Sequence, residues 1–211
     1  MLTAANLPAL QAALTEAGVT IAAYDAIQPG QADYSSEVAT VLGFSPDVIY
    51  ADVYAPEGAL IAKAIAESGS DVQCLMDYAT FDDAYITNAT VPVAQRCPVV
   101  GVPAPGDFMG AEAYVQSYTE LFGEAPGAWS PYTYDSVKFL AAGITGAGST
   151  DLAAVKAVLD KINGWTGWTG AVAIDEATGD RDPATVVVAS VSDDGEFHVD
   201  LEWAEAVEAP F

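Results

Sequence analysis

Pro46-Asp47-Val48-Ile49-Tyr50-Ala51 is the stretch on which the fold turns. Pro46-Asp47 breaks the chain, and Val48-Ile49-Tyr50-Ala51 is short and apolar, which reads as a buried strand. A helix stripe follows at Leu60, Ile61, Ala64 and Ile65 and ends near Gly69. Residues 72–76 read as a second strand, a short helix covers 81–87, and residues 99–102 read as a third strand. Before Pro46, Ser35 and Ser36 cap a short helix carrying Val38, Val41 and Leu42. Gln28-Pro29-Gly30-Gln31 is a turn, residues 19–24 read as a strand, and Leu7, Leu10 and Leu14 line one helix face with Gly18 as its C-cap. Strands this apolar, alternating with helices, predict an α/β fold: a doubly wound parallel sheet covered on both faces.

Beyond Pro103-Ala104-Pro105-Gly106 the character changes. Residues 111–162 read as helices without an intervening strand. Ala111, Tyr114, Val115, Tyr118, Leu121 and Phe122 form one stripe, and Val137, Leu140 and Ile144 a second that ends at Gly146 and Gly148. Asp151 is the N-cap of a third helix bearing Leu152, Val155, Leu159 and Ile162. After Gly164-Trp165-Thr166-Gly167-Trp168-Thr169-Gly170 the signals are β: residues 172–174, 185–191 and 197–201, with turns at Thr178-Gly179-Asp180 and Asp193-Asp194-Gly195. The domain reading is therefore an α/β body of residues 1–105 and 164–211, and a helical segment of residues 106–163.

Charge excludes whole classes of partner. The 211 residues carry 30 acidic and 6 basic side chains, a net charge of −24. Phosphate backbones and anionic membrane surfaces are repelled, so nucleic-acid binding is not expected. No apolar run approaches the roughly 20 residues that span a bilayer. Residues 1–6 lack the basic and apolar regions of a signal peptide, so a signal segment is not expected within this chain. The two cysteines, Cys74 and Cys97, open two strand-like runs. Neighbouring parallel strands place them at one sheet edge, either as a disulfide, which implies an oxidising compartment, or as two buried thiols.

Catalytic and cofactor signals are weak. His198 is the one histidine and sits beside a hairpin turn. The acid pairs Asp82-Asp83 and Asp193-Asp194 lie on loops, and Asp175 to Asp180 lacks the spacing of a calcium loop. There is no Gly-rich phosphate motif and no zinc-ligand spacing. The expectation is no enzyme, no cofactor and no metal.

Three stretches in order resemble the type I periplasmic-binding-protein family, in its branched-chain amino-acid (Leu/Ile/Val) branch. Gly30-Gln31-Ala32-Asp33-Tyr34-Ser35 with Ser45-Pro46-Asp47-Val48-Ile49-Tyr50 is similar to the family's G-x-x-D-(F/Y)-S and P-D-x-(V/I) run. Tyr132-Thr133-Tyr134-Asp135-Ser136-Val137, followed by Ala147-Gly148-Ser149 and Asp151, resembles its Y-D-A-V and A-G-S-x-D helix pair. Trp168-Thr169-Gly170, Ile174-Asp175 and Gly179-Asp180 resemble F-x-G-x-x-G-x-x-x-F-D-x-x-G-D.

The resemblance implies a two-lobed solute-binding protein of an ABC importer. It would work outside the cytoplasm and close on an amino acid or similar small molecule, with an ABC permease as partner. Residues 1–105 and 164–211 would form most of lobe 2 and residues 106–163 helices of lobe 1. Family members begin well before this chain's first residue, so most of lobe 1 and the opening strand of lobe 2 are expected to lie outside it. The lobe 1 helices would then leave apolar stripes open to self-association. Carried over residue by residue, Tyr54, Asp77, Tyr78 and Tyr132 are the ligand-binding candidates. Tyr54 follows the first strand and would pack on the ligand. Either Asp77 or Tyr78 would stand where many members place the carboxylate for the ligand ammonium, with Asp77 alternatively a helix N-cap. Tyr132 would line the cleft, while Trp165 and Trp168 would pack a hinge. A ligand-sensing receptor of the same fold is the alternative. A hydrolase using Asp82, Asp83 and Asp175 is a third reading, and would require those acids to cluster.

Overall fold

The computed structural model describes residues 2–162, 164–182 and 185–208, with side chains from residue 7 onward. They form two compact units: Met1–Gly101 with Val188–Phe197, and Val102–Val187 with His198–Phe211. The first unit is the α/β body. Its elements are α1 (Leu2–Glu16), α2 (Ser35–Leu42), β1 (Val48–Ala51), α3 (Ala55–Glu67), β2 (Gln73–Met76), α4 (Asp83–Ala89), α5 (Val91–Ala94) and β3 (Val99–Gly101). β1 and β2 run parallel with Val48 beside Gln73 and Ala51 beside Met76, and β2 pairs parallel with β3 at Met76 and Val99. The sheet continues through β6 (Val187–Val191) to β7 (Phe197–Val199), in the order β1-β2-β3-β6-β7. This is the expected α/β fold with a parallel-rich sheet.

Small residues let α3 lie close on its neighbours. Ala55, Gly58, Ala59, Ile61, Ala62, Ala64 and Ile65 are all buried, and each fully buried Ile contributes about 1.5–3 kcal/mol of transfer free energy. A Cβ on Gly58 would come 2.7 Å from the Thr80 methyl. Phe81 fills the space left by Gly101, whose Cβ would meet its ring at 2.6 Å, and stacks on Phe197 at 4.6 Å. Tyr85, fully buried, donates its hydroxyl to the Cys97 carbonyl at 2.9 Å. A disulfide joins Cys74 and Cys97, with Cα atoms 4.8 Å apart.

Two sequence expectations fail here. Residues 19–24 form no strand, and Val19, Ile21 and Tyr24 are exposed. The reason is pairing: β1 is an edge strand among the described residues, and no ladder reaches 19–24. The sheet is also not covered on both faces throughout. Ile49 and Ala51 are buried, whereas Val48 is 54% and Tyr50 37% exposed.

The second unit is mainly helical, with α6 (Ala111–Phe122), α7 (Ser130–Ala147) and α8 (Leu152–Leu159) near the expected positions. Gly148 ends α7 in the left-handed region at φ +58°, and Asp151 caps α8 through the Ala154 N–H at 3.0 Å. A short antiparallel hairpin not foreseen as such, β4 (Trp165–Gly167) and β5 (Gly170–Val172), follows. It groups with α7 because Asp135, 4% exposed, accepts from the N–H groups of Trp168 and Thr169 at 3.0 and 2.7 Å and from the Thr169 hydroxyl at 2.7 Å. Gly167 admits this approach: a Cβ there would fall 2.3 Å from the carboxyl carbon. Arg181 closes the loop by donating to the Thr169 hydroxyl and to the carbonyls of Thr169 and Ala171. Leu121, Phe122, Val137, Leu140 and Leu152 of the helices stay exposed. A final helix, α9 (Leu201–Ala206), is capped by Asp200 and buries Ala204 against Val187 and Val199.

Candidate functional site

Side chains that leave parallel strands at their carboxyl ends face a common edge, where open α/β sheets bind ligands. In the first unit that edge belongs to β1 and β2. Their register ends at Ala51 and Met76, and the Asp77 N–H extends it by donating to the Ala51 carbonyl at 2.9 Å. The next residues on each strand, Asp52 and Asp77, therefore stand side by side. Burial first, then interaction with the neighbouring Asp77 carboxyl and its charge, pushes the Asp52 carboxyl up to about 6.

Asp77 is fixed from two further directions. It is the N-cap of a 3₁₀ turn, Tyr78–Thr80, accepting from the Ala79 N–H at 3.2 Å. It also accepts from the Tyr50 hydroxyl at 2.8 Å. Burial first, then the Asp77 bond and charge, raise the Tyr50 phenol far above its ordinary range, so it stays protonated and keeps donating. Thr80, fully buried, donates to the Val53 carbonyl at 2.6 Å and holds the turn to the end of β1.

Tyr54 sits directly before α3 with half its surface exposed, and Pro56 starts the helix after it. Tyr78 is 41% exposed, and burial raises its phenol. Three of the sequence candidates, Tyr54, Asp77 and Tyr78, thus follow β1 and β2 on one edge of one unit. Tyr132 belongs to the other unit. There its hydroxyl donates to the Pro103 carbonyl at 2.9 Å, and its ring packs between Phe108 and Trp129. Sequence reasoning passed over Asp52 and Tyr50. Aligning the two strand ends would have found Asp52, since it holds the same position after β1 as Asp77 holds after β2.

Of the other acids of the sequence reading, Asp82 and Asp175 serve local backbone, while Asp193 accepts from the Gln95 side chain at 2.9 Å. Asp82 caps α4 through the Ala84 N–H at 2.8 Å. Asp175 accepts from the N–H groups of Ala177 and Thr178 within its own turn. His198 lies 3.4 Å from the Asp107 carboxylate, which also accepts from the Ala104 and Val199 N–H groups. Trp165 packs on Phe139 and Trp168 on Tyr114. The motif residue Asp33 accepts from the Ser35 N–H and hydroxyl, which lower its carboxyl, and the buried Tyr34 donates to the Gln28 carbonyl. No described helix is long and apolar enough to cross a membrane.

The sequence profile of the periplasmic binding protein family matches residues 3–196. An amino acid binding protein of Pseudomonas aeruginosa is 25% identical over 144 residues, 68% of this chain and 38% of that protein. A Leu/Ile/Val-binding protein homolog of Brucella abortus is 26% identical over 143 residues, 65% of this chain and 37% of that one. The crystal structure of a leucine binding protein from Thermotoga maritima superposes with a TM-score of 0.78 at 26% identity, over 88% of this chain and 52% of that one. The chain thus spans about half or less of the length of these relatives. With the profile running through the parallel sheet, the helical unit and the hairpin between β6 and β7, this chain belongs to the periplasmic binding protein family.

Proposed function

We propose that the protein is the solute-binding component of an ABC importer, holding an amino acid or similar small molecule outside the cytoplasm. The observation that carries this reading is the carboxyl edge of β1 and β2. There two neighbouring strand-end carboxyls, Asp52 and Asp77, are followed along the chain by the exposed rings of Tyr54 and Tyr78, in a chain of this family. Carboxylates pair with a ligand ammonium and the rings pack on its apolar part, the mix of few polar groups and apolar surface that small-molecule sites use. The similarity to leucine- and Leu/Ile/Val-binding proteins favours apolar amino acids. The Cys74–Cys97 disulfide fits an oxidising compartment. On this reading residues 1–105 and 164–211 belong mainly to lobe 2 of the whole protein and residues 106–163 to lobe 1. Tyr132 lines the cleft, and a permease receives the ligand.

Isothermal titration of the protein with leucine, isoleucine and valine, with glutamate as an acidic counter-ligand, tests the reading. Saturable heat from at least one apolar amino acid and none from glutamate is expected of the whole protein that carries both lobes. Silence across the apolar panel would overturn it.

A further inference from the structure

The sheet of the first unit is joined unevenly. β1 and β2 share four register pairs, from Val48 beside Gln73 to Ala51 beside Met76. β2 and β3 share one, Met76 beside Val99, supported by the Met76 N–H donating to the Pro98 carbonyl at 2.9 Å. Yet β3 is the middle strand, the one through which β1 and β2 continue to β6 and β7. Val99 at its head is fully buried, so the core closes only when β3 is seated. The Cys74–Cys97 disulfide spans this same weak joint. Cys74 lies in β2, and Cys97 lies two residues before β3, at a sequence separation of 23. Arg96 adds one hydrogen bond across the joint, to the Ser70 carbonyl at 3.0 Å, from an exposed side chain. Both cysteines are buried, Cys74 5% and Cys97 1% exposed. α3, with Ala59, Ala62 and Ile65 buried, lies outside the loop that the disulfide closes.

We propose that this disulfide is a redox latch on β3: the body of β1, α3 and β2 forms without it, and its closure seats β3 and completes the sheet. The chain therefore reaches its finished fold only where an oxidant is present. Closure is a two-electron exchange. One cysteine thiolate attacks a sulfur of an acceptor disulfide, such as that of a thiol–disulfide oxidoreductase, and displaces a thiolate. The second cysteine then attacks the mixed disulfide, forms the Cys74–Cys97 bond and releases the acceptor's other sulfur. Two S–H bonds are lost, one S–S bond is gained, and the acceptor leaves as a dithiol with both electrons and both protons. Reopening requires a thiolate to reach one of these sulfurs, and burial denies that while the fold is intact. The latch is thus one-way. The loop it closes carries Asp77 and Tyr78. On the solute-binding reading above, on which this one consequence rests, oxidation also anchors the segment that follows the candidate edge.

The test is amide exchange, followed by mass spectrometry, on the full chain unfolded, reduced and refolded with either dithiothreitol or glutathione disulfide. In the reduced chain residues 91–101 should exchange about tenfold or more faster than in the oxidised chain, with α3 within about twofold of it. The melting midpoint should fall by roughly 5–15 °C. Cys74→Ser combined with Cys97→Ser should show the reduced pattern in either buffer. Dithiothreitol added to the folded oxidised chain should leave both cysteines closed to alkylation until urea unfolds it. Equal protection of residues 91–101 with and without the bond, or an unchanged midpoint, would overturn the inference. So would equal loss across α3, including a reduced chain that does not fold, because the bond would then hold the whole unit and not β3. Reduction of the folded chain as fast as the unfolded one would overturn it as well. No step uses an amino acid, so failure here leaves the solute-binding reading standing, and silence in the ligand titration leaves the latch standing.

Discussion

Asp135 and Asp52 are both carboxylates placed by secondary structure against a second chain segment, and they end in opposite situations. Asp135 points from α7 into the β4–β5 hairpin, is buried, and takes three hydrogen bonds from groups with no other use for their protons. Asp52 follows an open edge strand and meets another carboxyl, and its own is driven up to about 6. A buried charge surrounded by donors is a structural fastener, since its desolvation is offset by charge-assisted bonds. A carboxyl whose neighbour is a second carboxyl is left wanting a cation, which is a feature of binding and catalytic sites more than of cores. The comparison separates a carboxylate that fastens the fold from one held at the open edge of the sheet.

The largest effect that would break the comparison comes from the fastener. Asp135→Ala leaves two backbone N–H groups and the Thr169 hydroxyl without their acceptor. At about 1–3 kcal/mol for each unsatisfied buried group, the loss is on the order of 4 kcal/mol. Urea unfolding should show a large fall in midpoint. A change within about 0.5 kcal/mol would mean that the hairpin is not held by this residue.

Asp52→Asn should act weakly and in the other direction. A carboxyl whose folded value is raised to about 6, against about 3.9 in the unfolded chain, stabilises the fold fully below pH about 4. That contribution is lost as pH rises through about 6. Above that pH the ionised Asp52 is a strain, and the amide removes it. Discounted for solvent screening, the gain is about 1 kcal/mol or less. Melting curves of variant and parent should differ at pH 7.5 and converge near pH 4. A gap that widens toward acid would place the strain elsewhere.

Much of the fold was legible because its local signals agree with its tertiary environment. The strand at Val48–Ala51, the Gly148 stop, the Asp151 cap and the Asp193-Asp194-Gly195 turn each needed only neighbours in sequence. Residues 19–24 misled because a strand requires a partner, and β-formers at Val19, Ile21 and Tyr24 say nothing of whether one is present. The β4–β5 hairpin was hidden because its anchor, Asp135, lies more than thirty residues away. Of the candidate site, Tyr54, Asp77 and Tyr78 could be named from strand ends. Asp52 was within reach, since it holds the same strand-end position as Asp77, but Tyr50 could not be named while β1 was taken as buried on both faces. Tyr50 occupies the open face and reaches the Asp77 carboxyl through its hydroxyl.

The most direct measurement is the pH titration of the Asp52 carboxyl carbon in the unliganded protein and in Asp77→Asn. A midpoint near 6 in the parent that falls toward the ordinary carboxylate value of about 3.9 in the variant is the predicted result. A midpoint near 4 in both would mean that the two strand-end carboxyls do not act as a pair, and would contradict the account of the site.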